Sequence, residues 1–273
     1  DGGHSWKIIS PDLSTNDKSR QQSQDSLTPM NSGDEDCVIF ALAESPLEAG
    51  VIWAGTNDGL VQVTRDSGAN WSNVTPNIPN LPPWGTVSNI EASRYDPGTC
   101  YITVNLHEEN IRNPYVYKTT DYGQSWTSLS SDLPQSDTFS INARCIREDP
   151  VRKGLLYLGT EYALFVSFDD GTNWLPLHTN LPHTAVHGVV VQEHFNDLVV
   201  GTYGRGFWIL DDITPLQQLT PEVIDSNVHL FNIRSAYRFH TIEPPVIQQG
   251  DPSVGENPPY GASINYYLKT EGA

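Results

Sequence analysis

Apolar residues fall in short strand-like runs along this chain, and the three- and four-residue spacing of an amphipathic helix is hard to find anywhere. The runs predict strands in series: inner strands over 38–44, 88–93, 141–148 and 186–193, and second strands over 51–56, 100–105, 155–160 and 198–202. Third strands are predicted over 60–64, 116–119, 164–168 and 207–210, with outer strands over 71–74, 126–129 and 174–177. A further outer strand at 6–10 has no blade of its own. After residue 213 the pattern changes. Segments 216–218 and 222–231 read as a trailing strand and packing arm within 213–242. Five prolines and three acidic residues make 243–259 a linker, and 261–269 reads as the first strand of a following domain, so 243–273 forms a third region.

A repeat organises the strands. Thr64-Arg65-Asp66-Ser67-Gly68-Ala69-Asn70-Trp71 returns as Thr119-Thr120-Asp121-Tyr122-Gly123-Gln124-Ser125-Trp126 and as Ser167-Phe168-Asp169-Asp170-Gly171-Thr172-Asn173-Trp174. The opening Asp1-x-Gly3-x-x-Trp6 is the same motif without its first residues. Asp bonds backbone amides in a tight turn, Gly takes the positive φ, and Trp packs back over neighbouring strands. A period near 50 residues with four short strands is the size of a propeller blade. Blades are expected near 37–75, 87–130, 140–178 and 186–212, within a domain covering 1–212. The fourth lacks both the Gly and the Trp. Either residues 6–10 complete it and four blades close a ring, or the chain is half of a larger propeller with two raw edges; the second reading is preferred.

Composition narrows the function. Lys and Arg number 15 against 33 Asp and Glu, a formal charge of −18, which argues against nucleic acid or an anionic membrane as partner. No apolar run approaches the length of about 18 residues that a membrane span needs. Twenty-one glycines, 20 prolines, 7 tryptophans and 12 tyrosines fit an all-β protein rich in turns. Cys37, Cys100 and Cys145 are too dispersed for a zinc motif and read as buried small hydrophobes.

The hairpin motif resembles the Asp-box, or bacterial neuraminidase repeat, of sialidases, xyloglucanases and sortilin-type receptors. The runs Val51-Ile52-Trp53-Ala54-Gly55-Thr56-Asn57-Asp58-Gly59 and Gly201-Thr202-Tyr203-Gly204-Arg205-Gly206-Phe207-Trp208-Ile209-Leu210-Asp211-Asp212 resemble secreted bacterial sortilin-like and glycosyl-hydrolase-like repeat proteins. The resemblance implies an all-β propeller of four-stranded antiparallel blades with Asp-box turns, about four of them here. It also implies an extracellular or periplasmic location within a longer chain. It fixes no reaction, because the repeat is structural.

Strand direction puts every Asp-box hairpin on one face, called the bottom. Asp66, Gly68 and Trp71, Asp121, Gly123 and Trp126, and Asp169, Gly171 and Trp174 are therefore turn residues and not a catalytic set. The opposite, top face collects the loops between second and third strands. There Asp58 and Glu161 are expected at equivalent positions, each following Gly-Thr. Pointing into the channel, they would serve as acid and base of an inverting glycosidase, about 6.5–9.5 Å apart, or as carboxylate ligands of Ca²⁺, the one cofactor considered. His187 starts an inner strand and is a candidate base. Tyr203, Arg205, Tyr162 and Trp84 are candidate substrate-binding groups. The expected function is a secreted hydrolase with a carbohydrate or other small-molecule ligand at the channel mouth, with a Ca²⁺-dependent lactone or ester hydrolase as a variant. The alternative is a non-catalytic peptide- or glycan-binding module of a larger cell-surface protein. The remaining blades of a parent chain, or a second copy, are the expected protein partners.

Overall fold

A computed structural model of the chain describes residues 3–18, 37–136, 138–177, 179–236 and 261–269. Three antiparallel sheets of four strands follow one another in sequence. The first is β1 (Ile39–Glu44), β2 (Ile52–Thr56), β3 (Val61–Thr64) and β4 (Ser72–Asn73). The second is β5 (Thr86–Ala92), β6 (Cys100–Asn105), β7 (Tyr115–Thr119) and β8 (Thr127–Ser128). The third is β9 (Ala143–Glu148), β10 (Leu156–Thr160), β11 (Leu164–Ser167) and β12 (Leu175–Pro176). A fourth sheet has three strands among the described residues: β13 (Val186–Gln192), β14 (Asp197–Thr202) and β15 (Phe207–Leu210). In each sheet the strands lie in chain order, as up-and-down hairpins require. The fold is all-β and of the propeller type, each sheet a blade.

The chain divides into two compact units, 1–190 with 200–208, and 191–199 with 209–273. In the first, inner strand β5 packs on β1 and β2, and β9 on β5 and β6. Glycine makes room for the successive inner strands. A Cβ on Gly55 would stand 2.4 Å from Val87 Cγ1, and one on Gly159 would stand 2.7 Å from Val186 Cγ1. The core between the first two blades holds Trp53 edge-on to Trp126, with ring centroids 6.1 Å apart.

The repeated hairpin satisfies its own polar groups. Thr64 Oγ1 accepts the Gly68 amide and donates to Asp66 Oδ1, while Asp66 takes the Asn70 amide at 2.8 Å and its side-chain amide at 2.7 Å. Thr119, Asp121, Gly123 and Ser125 repeat these bonds, as do Ser167, Asp169, Gly171 and Asn173. Gly68, Gly123 and Gly171 have φ of 89°, 81° and 84°, and Gly3 shares it at 86°.

The hairpins also grip the segment that leaves the preceding outer strand, the first and third through their tryptophan and the second through Asn77, whose side-chain amide donates to Gly123 O at 2.8 Å. Trp174 Nε1 donates to Leu129 O and Trp71 Nε1 to Ile9 O, both at 2.9 Å. Ile9 and Leu129 each lie three residues after their motif tryptophan. Seven residues after it come Leu13, Ile78, Leu133 and Leu181, all buried. This second repeat, visible as Asp12-Leu13, Asn77-Ile78, Asp132-Leu133 and Asn180-Leu181, is absent from the sequence reading above.

Residues 6–10 are not a strand. They have the register of an outer strand, but β3, β7 and β11 already pair with β4, β8 and β12, and the Trp6 side chain is 91% exposed.

In the second unit the strand expected at 216–218 is instead α1 (Thr214–Gln218), with Pro215 in its first turn, where its fixed φ and missing N–H suit a helix start. α2 (Pro221–Asp225) follows, capped by the Thr220 side chain. β16 (Val228–Leu230) then pairs with β17 (Tyr266–Leu268), within the segment expected to open a following domain. Arg234 binds Asp197 at 2.8 Å and lies 3.7 Å from Asp212. The linker at 243–259 lies outside the described residues. Among the described residues no helix is long and apolar enough to cross a membrane.

Candidate functional site

The top of the first, third and fourth blades is set by one backbone bond. The residue after the second strand donates its amide to the carbonyl just ahead of the inner strand: Asn57 to Val38, Glu161 to Asn142 and Tyr203 to Ala185, at 2.9–3.1 Å. Glu161 therefore corresponds to Asn57, not to Asp58. Three residues (Asn57, Asp58 and Gly59) separate Thr56 from Leu60, and two (Glu161 and Tyr162) separate Thr160 from Ala163. That one-residue difference turns the two carboxylates toward different surroundings.

Asp58 is buried and faces the N-terminal segment. Its Oδ2 accepts the Thr15 amide at 2.6 Å and the Thr15 hydroxyl at 2.7 Å. Burial pushes its pKa up, but bonds from Thr56, Thr15 and Cys37 outweigh this and hold it below the usual carboxylate value. Asp58 and Trp84 line one pocket of about 460 Å³ with Thr15, Leu60, Leu81 and Pro83. Trp84 itself has φ of 66°, uncommon for a residue with a side chain.

Glu161 sits elsewhere, among cationic and aromatic groups. Arg144, on inner strand β9, places Nε and Nη2 on its Oε1. His187 Nε2 is 3.9 Å from the same oxygen. Arg144 and His187 hold matching places, each two residues beyond the carbonyl that fixes its loop. Tyr203 stacks on His187 with centroids 5.3 Å apart, and its side chain is 76% exposed. Burial, then the Arg144 charge, lowers the His187 pKa, with Glu161 opposing them. A second stack runs from His183 to Tyr162 at 4.3 Å and on to Phe139 at 4.7 Å. Thr184, donating to Tyr162 O, and Tyr203, donating to Ala185 O, tie both stacks to segment 183–187.

Glu161 is thus grouped with Arg144, His187 and Tyr203, and Asp58 with Thr15 and, in one pocket, Trp84. Asp58 and Glu161 share no partner, and the second blade's hairpins come between theirs in the chain. An acid–base pair or a shared Ca²⁺ site needs both carboxylates together, and a guanidinium on Glu161 opposes a cation there. Among the described residues no group of three or more His, Cys, Asp or Glu is arranged to hold a metal ion. Arg205, between Gly204 and Gly206 at φ of 80° and 70°, is exposed, and its carbonyl accepts Trp208 Nε1. The Asp-box carboxylates are held in their turns; hydrogen bonds keep the pKa of Asp66, Asp121 and Asp169 low. All three cysteines are free, and burial pushes the Cys145 thiol up to about 12. Phe139 and Arg144 are the surface's members that the candidate set lacks. The arginine is visible as the residue two before the end of the Ile141-Asn142-Ala143-Arg144-Cys145-Ile146 run, but only the fold shows its partner.

No protein-family model matches the sequence, and no curated protein matches it. Similar solved structures include an ancestral GH74 enzyme, 14% identical with a TM-score of 0.50, over 61% of this chain and 22% of that one. A GH74 xyloglucanase from Xanthomonas campestris is 17% identical with a TM-score of 0.48, over 62% and 27%. YCF48 bound to D1 peptide is 17% identical with a TM-score of 0.44, over 63% and 51%. This chain spans about half or less of the length of each. The likeness is one of fold.

Proposed function

We propose that this chain is an Asp-box propeller segment of an extracellular or periplasmic protein, and that its top face recognises carbohydrate without cleaving it. The observation that carries this reading is the surface around Glu161. The exposed Tyr203 ring stacks there on His187, beside the Arg144–Glu161 ion pair. Aromatic faces pack on the C–H faces of sugar rings, while the pair's free hydrogen-bonding positions meet hydroxyls. Tyr203 supplies the most exposed ring. The engagement of Asp58 by Thr15 and of Glu161 by Arg144 speaks against a two-carboxylate glycosidase, whose carboxyls must meet the substrate.

Calorimetric titration with cello-, xylo- and sialyl-oligosaccharides tests this. Binding of at least one is expected, with Tyr203→Ala and Tyr162→Ala each raising Kd about tenfold, or about 1.4 kcal/mol, and with a chelator changing nothing. No binding across the panel sinks the reading. His187 beside Glu161 favours one rival, general acid–base hydrolysis; sugar release by the parent chain that Glu161→Gln abolishes would establish it instead.

A further inference from the structure

The second blade carries the longest loop of the top face. Between β6 and β7 the chain runs through 106–114, against 57–60, 161–163 and 203–206 at the corresponding places. This loop folds on itself: the Ile111 amide donates to Leu106 O and the Asn110 amide to His107 O, with Asn110 at a φ of 57°. Both arms are then held by the entry to the third blade. The Leu106 amide donates to Asn142 Oδ1 at 3.2 Å, Asn142 Nδ2 donates to Ile111 O at 3.1 Å, and the Ile141 amide donates to Arg112 O at 2.8 Å.

Asn142 is buried, and every bond it makes lies inside the protein. Its Nδ2 also donates to Ser140 Oγ at 2.7 Å, and its carbonyl accepts the Glu161 amide at 2.9 Å. An asparagine side chain carries an acceptor and donors at one point, so it serves an amide and a carbonyl together, which neither an ionised aspartate nor a leucine can do. The backbone beyond it is held from the second blade as well. Ser88 Oγ donates to Ala143 O at 3.1 Å and Thr103 Oγ1 to Arg144 O at 3.3 Å. Ser140 follows Phe139, whose ring packs on Tyr162. One buried side chain therefore links the loop of the second blade to the backbone that presents Phe139, Arg144 and Glu161.

We propose that Asn142 is the positioning residue of the Glu161 surface, and that the loop it pins, 106–112, is a wall of the same site. The proposal rests on the carbohydrate reading of that surface. Ligand-binding groups act well only when the residues beneath them are locked, and a buried polar network with every member bonded supplies that rigidity. The wall offers Glu108, exposed on the loop, as an acceptor for sugar hydroxyls.

Hydrogen–deuterium exchange and the oligosaccharide titration, both on the full chain, test the pin and the wall separately. Asn142→Ala should speed exchange over 106–112 about tenfold, leave the turn at 167–173 as in the parent, and raise Kd about tenfold. Ser140→Ala, which removes one partner of Asn142, should shift both readings less and in the same direction. Glu108→Ala should leave exchange as it is and raise Kd about threefold. Unchanged loop exchange in Asn142→Ala overturns the pin. A freed loop with parental affinity overturns the wall and leaves Asn142 a purely structural role. If Asn142→Ala does not fold, Ser140→Ala and Glu108→Ala decide by the same readings, and parental values in both overturn the proposal. A parent that binds none of the sugars sinks the carbohydrate reading and the wall with it, while loop exchange in Asn142→Ala still shows whether the pin exists.

Discussion

At the blade tips, one residue of loop length decides the neighbours of each carboxylate. With three residues between Thr56 and Leu60, the acidic side chain falls second and turns to Thr15. With two between Thr160 and Ala163, it falls first and meets Arg144. The same geometry sets the protonation of His187. Burial and the Arg144 cation both disfavour imidazolium, so its folded-state pKa lies below the ordinary 6.5. The unfolded chain then binds the proton more readily, and this histidine's contribution to stability falls as pH drops below 6.5. NMR titration of the ring should give a midpoint under 6.5. Arg144→Gln should raise that midpoint and Glu161→Gln should lower it; movement in the opposite sense would show that the pair does not act on His187.

The strands themselves were legible because the first three blades write them twice, once in short apolar runs and once in the Asp–Gly–Trp register that follows the third strand. Every inner, second and third strand stands within a few residues of its expected bounds. Helix α1 was hidden by length, since five residues give no helical period. The equivalence of Asp58 with Glu161 failed for a different reason. Gly-Thr marks where a second strand ends but does not show how many residues turn the corner. The glycines of that pair invite a comparison between blades. Gly159→Ala forces a Cβ to within 2.6 Å of Cys145 Sγ and 2.8 Å of Val186 O, an overpacking that costs about 1–3 kcal/mol. Gly201→Ala brings its Cβ only to ordinary contact, 3.5 Å from Phe207, and should stay within about 0.5 kcal/mol of the parent. Urea melts of the two variants give the difference directly. Equal losses would mean the glycines serve backbone conformation and not the seam.

Over the whole molecule the dominant quantity is charge. A formal −18 on 273 residues works against the compact state by self-repulsion, while the core contacts are apolar. Salt screens the first and leaves the second. The urea midpoint should therefore rise between about 20 mM and 500 mM sodium chloride; a fall with salt would point to ion pairs as the holding contacts. Sequence alone does not show that Ile39 and Leu42 are exposed, because they look like any other core positions of an apolar run. The grip of each hairpin on earlier chain has a further consequence. Trp71 donates to Ile9 O and Trp174 to Leu129 O, so both tryptophans reach back to residues synthesised before them. Each of these two blades, leaving the ribosome, finds the segment it grips already made, so their docking can follow the order of synthesis.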